Sequence, residues 1–313
     1  MHDTDLLTRV TGFTAEFGPA GGYRGPDQAE RTALVEGVSA LFDGNTEKAG
    51  IRLAEVGYRL DTFTDGAGGR RFAEVADARP GSGAGAGAGA GGRGWGRIYL
   101  DLGAPPRWSV QIPHPVADQD TERLGAEVLR STLGGVMVLA GAHRKAGGGG
   151  GEGPDSGGDP DPGAEAESGG GEADEGASRD VADMAHRTDS VFHAVIAELT
   201  RRGLPGIQLH GFADSSVPGA DAVVSTGAGT TAAADAGRLA EQLQARGVRP
   251  CRSAARSADC RLAGRTNEQG RLAAEHGTCF LHLELARSVR ADPDRMRETA
   301  YAIAYVTAGW AGT

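Results

Sequence analysis

The chain has 313 residues, 52 of them glycine, and a formal charge of -10, a length that ordinarily suggests about two domains. Residues 81–94 and 147–179 are low-complexity tracts that cannot bury apolar surface, so about 265 residues remain for a core and one large domain with inserted loops is expected. Residues 146–180 carry ten acidic side chains against Arg179 alone; the rest is close to neutral, which excludes the cationic face of a nucleic-acid binder, and no run of about 18 apolar residues exists to span a membrane.

Residues 1–50 read as a polar, helical N-terminal extension, with Leu34, Val35, Val38 and Leu41 at helical spacing. Met1 to Leu7 lacks the basic and apolar segments of a signal peptide, so a cytoplasmic location is expected, with secretion only if a leader precedes this chain. Residues 51–313 read as a single α/β domain with the two insertions. Its strand-length apolar runs are 97–102 (RIYLDL), 108–112 (WSVQI), 136–140 (VMVLA), 206–209 (GIQL), 222–225 (AVVS) and 279–285 (CFLHLEL). Helical periods lie between them, at Leu124, Val128 and Leu129, at Val191 to Leu199, at Leu239 and Leu243, and at 296–306. Strands alternating with such helices predict a three-layer α/β/α fold with a mainly parallel or mixed sheet.

Cys251 and Cys260 could pair in an oxidising compartment, but three cysteines make no disulfide framework and reduced thiols are the expectation. Cys279 opens an apolar strand and reads as packing, which argues against a cysteine nucleophile. There is no Gly-x-Ser-x-Gly elbow, no P-loop, and no dinucleotide-binding glycine motif between a strand and a helix, so nucleotide cofactors are not expected.

In an open parallel sheet, ligands bind outside the carboxyl ends of the strands. Four runs end in reactive groups there: 108–112 leads to His114, Asp118, Asp120 and Glu122, 136–140 to His143 and Arg144, and 206–209 to His210, while 279–285 contains Glu284 and precedes Arg287. Two histidines and a carboxylate, with a position left for water, form the donor set of a catalytic zinc. His114 is held between two prolines, and His210 is followed by Gly211, which leaves room close to the backbone. Asp118 is the first choice for third ligand, ahead of Glu122 and Asp120. Other divalent metals suit the same donors.

Glu284 alternates with Leu283 and Leu285, so it points away from the apolar face, where a cation or a water would be its partner. Arg144 could clamp a carboxylate. His186 and Arg187, just before a helix, could contact substrate, and His193 within it reads equally as packing. The turn Gly264 to Asn267 could add substrate contacts.

Taken in order, Pro-His-Pro with Asp118, Arg144, the helix FHAVIAEL, QLHG and HLELAR resemble the layout of the N-formylglutamate amidohydrolase family, relatives of the zinc carboxypeptidases, over about residues 107–290. The resemblance, to a bacterial branch of that superfamily, implies a phosphorylase/hydrolase-like α/β fold and amide hydrolysis. It also implies one zinc ion on His114, an acidic residue and His210, with Glu284 as base and Arg144 or Arg287 anchoring substrate. The sequence departs from the family pattern at Pro115 and Val116 after the first histidine, at Gln208 where the family has aspartate, and at Gly211 where it has serine.

The expected function is therefore a zinc-dependent amidohydrolase or carboxypeptidase-like hydrolase. Its substrate would be a small molecule or peptide with a carboxylate, with no nucleic-acid partner. The competing expectation, prompted by Gln208 and the acidic insertion, is a catalytically degenerate binding protein that keeps the fold.

Overall fold

The computed structural model describes residues 5–78, 92–147, 180–252, 260 and 262–312. The expected insertions lie outside the described residues over 81–91 and 148–179. The strands are β1 (Tyr58–Thr64), β2 (Arg71–Asp77), β3 (Arg97–Asp101), β4 (Trp108–Ile112), β5 (Gly135–Leu139), β6 (Gly206–Phe212), β7 (Ala222–Ser225), β8 (Pro250–Arg252) and β9 (Phe280–Ala286). They form one sheet in the order β1-β2-β3-β5-β4-β6-β9-β7-β8.

The middle of the sheet is parallel, through β5, β4, β6 and β9. The β1–β2–β3 meander joins antiparallel to β5, and β7 runs antiparallel to β9, so the sheet is mixed. The sequence did not announce β1, β2 or β8. Strand β1 (YRLDTFT) is polar and largely half-exposed, as an edge strand is.

Helices cover both faces. On one side, α1 (Leu6–Thr14), α4 (Thr121–Ser131), α6 (Ala233–Ala245) and α9 (Pro293–Ala311) bury Leu6, Val10, Leu124, Val128, Leu239 and Ile303 against Val110, Ile112, Ile207, Leu209, Leu281 and Leu283. On the other, α2 (Gln28–Phe42), α3 (Thr46–Glu55) and α5 (Val191–Arg201) bury Leu34, Val38, Leu53, Val195 and Leu199 against Val75, Ile98, Leu100, Val136 and Val138. The result is a three-layer α/β fold. Fully burying side chains of this size is worth roughly 1.5–3 kcal/mol each, so the first three helices are built into the two cores.

Strand alternation places the chemistry. Where β4, β6 and β9 give Ile112, Leu209 and Leu283 to the first core, the residues between them are Gln111, Gln208, His210, His282 and Glu284, all buried on the opposite face. The helix over that patch is α7 (Glu268–His276), capped by the Asn267 side chain, which accepts from the Gln269 and Gly270 N–H groups. Its apolar signal is weak, since only Gln269, Gly270 and Ala273 are buried.

Cys251 and Cys260 are joined in a disulfide, which corrects the expectation of reduced thiols. Their Cα atoms are 5.8 Å apart, a separation that spacing in sequence does not reveal. No helix among the described residues is long and apolar enough to cross a membrane.

Candidate metal centre

After β4 the chain makes a tight turn in which the Asp118 N–H donates to the His114 carbonyl at 2.9 Å, bringing Asp118 back beside the ring. Val116 and Asp120 adopt φ of 69° and 68° in this turn, a left-handed conformation that is strained for valine. The outcome is convergence: Asp118 Oδ2 lies 3.3 Å from His114 Nδ1 and 3.3 Å from His210 Nδ1. Ligand atoms about 2.0–2.2 Å from a tetrahedral ion sit roughly 3.3–3.6 Å from one another; these two distances fit a bound zinc, and all three donor atoms lie within 4.8 Å of one another. All three side chains are buried.

The far nitrogen of each ring is taken. His114 Nε2 lies 2.8 Å from Asp183 Oδ1, and His210 Nε2 lies 2.7 Å from Gln208 Oε1. The Gln208 amide is oriented by its neighbours: Asn267 Nδ2 donates to Oε1, and Nε2 donates to Gln111 Oε1 and Gln269 Oε1, both at 3.2 Å. Oε1 is thus the acceptor, His210 carries its proton on Nε2, and its Nδ1 lone pair faces Asp118. Asp183, just before a 3-10 turn at Met184–His186, also accepts from Arg144 Nη2 at 3.3 Å and pairs with His186 Nδ1 at 3.1 Å.

These contacts set the charges of the site. Burial pulls the His114 imidazole down, but the hydrogen bonds and charges of Asp118 and Asp183 outweigh it and hold the pKa at about 9. Burial dominates at His210 and lowers that ring below its ordinary value, while Asp118, which would accept from the charged ring, is a partial offset. Burial alone would raise the Asp118 and Asp183 carboxyls, yet their histidine partners hold both well below the usual carboxylate range.

On β9 the register pairs Gln208 with His282 and His210 with Glu284. The His210 and His282 rings are 4.6 Å apart, and His282 Nε2 is 3.8 Å from Glu284 Oε1. Thus His210, His282 and Glu284 form a second cluster of potential donors. It shares His210, whose nitrogens face Asp118 and Gln208, with the group of His114, Asp118 and His210. Burial, then repulsion from His210, pushes the His282 imidazole well below its ordinary value. Gly264, at φ 62°, lies against its ring, and a Cβ there would come within 2.4 Å of Cδ2.

The rivals of Asp118 are turned elsewhere: Asp120 pairs with Arg287 Nη1 at 2.7 Å, and Glu122 accepts from the Val116 N–H at 3.3 Å. Of the four side chains expected at the substrate, Arg144 and His186 meet at Asp183, whereas Arg187 pairs with Asp189 and Arg287 with Asp120. His193 is a packed helix residue 3.2 Å from Gln269 Nε2, and burial lowers it to about 4. In the 264–267 turn, Thr266 Oγ1 lies 3.4 Å from His186 Nε2, and Asn267 is committed to Gln208.

Sequence reasoning gave Asp183 no definite place and passed over His282, although His282 stands two residues before Glu284 and period-2 alternation puts them on one face. Asp183, 65 residues beyond Asp118, had no such signal.

Comparison with protein-family profiles and with curated proteins finds no match. Among solved structures the chain is similar to a bacteriophage poly-gamma-glutamate hydrolase, with 14% identity, 69% of this chain and 89% of that one covered, and a TM-score of 0.41. It is also similar to a metallo-carboxypeptidase from Burkholderia cenocepacia, with 11% identity, coverage of 69% and 61%, and a TM-score of 0.39. An aminopeptidase from Legionella pneumophila shows 8% identity, coverage of 98% and 69%, and a TM-score of 0.37. The chain thus spans somewhat under two thirds of the Burkholderia protein's length.

Proposed function

We propose that the chain is a metal-dependent hydrolase cleaving an amide bond in a small N-acyl amino acid or peptide that carries a carboxylate. His114, Asp118 and His210 would hold one zinc ion, and Glu284 would act as base. The observation that carries this reading is the 3.3 Å approach of Asp118 Oδ2 to both Nδ1 atoms, with each opposite ring nitrogen already satisfied. Zinc bound there would polarise a water and the scissile carbonyl.

The rest is done by the chain. Glu284, beside His210 in the register, takes a proton from the attacking water and returns it to the leaving amine nitrogen. Asp183 and Gln208 keep the two imidazoles in the tautomer that points Nδ1 inward. Arg144, with a side chain 29% exposed and its Nη2 3.3 Å from Asp183 Oδ2, anchors the substrate carboxylate. The resemblance to N-formylglutamate amidohydrolases supports an acylated, carboxylate-bearing substrate.

A degenerate binding protein was suggested by Gln208, but its Oε1 makes the hydrogen bond to His210 that a carboxylate would make, without the charge. The test is amine release from a panel of N-formyl and N-acetyl amino acids and short peptides. Zinc-loaded wild type should release amine, and Glu284→Gln should not, while both retain metal. Metal loss in Glu284→Gln would reassign that residue as a ligand, and no release by zinc-loaded wild type would overturn the hydrolase reading.

A further inference from the structure

The proposed reaction makes no use of Arg290, a guanidinium only 4% exposed in the short helix α8 (Arg287–Ala291) that follows β9. Its Nε donates to the Leu285 carbonyl at 3.1 Å, its Nη2 to the Phe212 carbonyl at 3.2 Å, and its Nη1 to the Gln119 carbonyl. These hydrogen-bond acceptors are neutral carbonyls; burial lowers the guanidinium's pKa, and the charges of Asp118, Glu284 and Asp120 offset it only in part. A cation buried this deeply is costly to desolvate even with acidic groups near it, and an apolar side chain of similar volume would often serve stability as well. Packing alone does not account for an arginine here.

Its three partners do. Gln119 follows Asp118, Phe212 stands two residues after His210, and Leu285 follows Glu284. One rigid, planar group spans the loop carrying the carboxylate ligand, the strand carrying the second histidine and the strand carrying the base. Gly211 is part of the same device. A Cβ at that position would lie 2.2 Å from Arg290 Cζ and 2.6 Å from its Nε, so any other residue would displace the guanidinium from the β6 backbone. The departure from serine after His210 thereby has a physical reason.

We propose that Arg290 is a positioning residue, whose guanidinium holds the carbonyls of Gln119, Phe212 and Leu285 and so fixes the spacing of Asp118, His210 and Glu284. The proposal rests on the reading of His114, Asp118 and His210 as the metal site. Lysine at this position would keep the charge but lose the fork that reaches three carbonyls in fixed directions.

The experiment uses the full chain, stripped of metal and titrated with cobalt(II), following affinity and the visible ligand-field spectrum. Arg290→Met, Arg290→Lys and Gly211→Ala are compared with Arg97→Met, which removes a buried arginine paired with Glu74 at 2.7 Å outside the site. Arg290→Met and Gly211→Ala should bind cobalt about 10- to 100-fold more weakly, the range for groups that orient ligands, with an altered spectrum, and Arg290→Lys should recover part of the loss. Arg97→Met should lower the melting temperature yet keep wild-type affinity and spectrum. Wild-type affinity and spectrum in folded Arg290→Met would overturn the proposal, and if that variant does not fold, the same result in Gly211→Ala does so. Failure of wild type to bind cobalt would overturn the metal-site reading itself, an outcome distinguished because it precedes any variant.

Discussion

Zinc uptake by the metal-free protein should release close to one proton near neutral pH, and the donor is His114. Its pKa is raised to about 9 because the Asp118 and Asp183 carboxylates outweigh the cost of burial. At about pH 7.5 a group titrating near 9 is protonated in roughly 97% of chains, and a metal accepts only the neutral imidazole. His210 adds little, since burial lowers its pKa, and Asp118 adds nothing, since its partners keep it ionised. The sign follows for stability too. A folded-state pKa above the ordinary value of 6.5 means that protonated His114 stabilises the metal-free fold below that pH, and the contribution disappears as pH rises through about 9. Zinc affinity moves the other way, rising about tenfold per pH unit from neutrality and flattening above about pH 9. The assay is titration calorimetry in buffers of different ionisation enthalpy, where the slope of observed against buffer enthalpy counts protons. A slope near one is expected, falling in Asp183→Asn, which removes one of the two carboxylates. A slope near zero in wild type would refute the assignment.

Three further outcomes follow from contacts around the site. Gln208→Leu strands the His210 Nε2–H and the Asn267 amide in a buried patch, so it should lower stability by about 1–3 kcal/mol per unsatisfied group and weaken metal binding about 10- to 100-fold, read by chemical denaturation and metal titration. Gly264→Ala, at φ 62° and with its Cβ 2.4 Å from His282, should cost more than the roughly 1–2 kcal/mol of left-handed backbone alone. An unchanged melting temperature would show that His282 is not packed there. Reduction of the Cys251–Cys260 disulfide should lower stability by about 2–3 kcal/mol for so short a loop, with the double Cys→Ser variant insensitive to reductant.

Strand ends were the legible part of this site. His114, His210 and Glu284 each follow or close an apolar run whose period-2 pattern is visible in the sequence, and the structure brings them to one face. Asp118 could be singled out from Asp120 and Glu122 only by spacing. What separates them is the turn at Val116, whose positive φ returns Asp118 to the ring and sends Asp120 toward Arg287. Asp183 reaches His114 from beyond a long acidic tract, and Arg290 reaches three backbone carbonyls. Such contacts depend on tertiary placement and leave no local pattern. Strands β1 and β8 were obscured for a related reason, since they are edge strands with few core-facing apolar residues.

The central claim, that His114, Asp118 and His210 hold one metal ion, is met most directly by metal content measured by plasma mass spectrometry on chelator-washed, zinc-reloaded protein. The account predicts about one zinc per chain in wild type, loss in His114→Ala and in His210→Ala, and retention in His282→Ala and Glu284→Gln. Wild-type protein that takes up no zinc, or loss confined to the His282 and Glu284 variants, would contradict it.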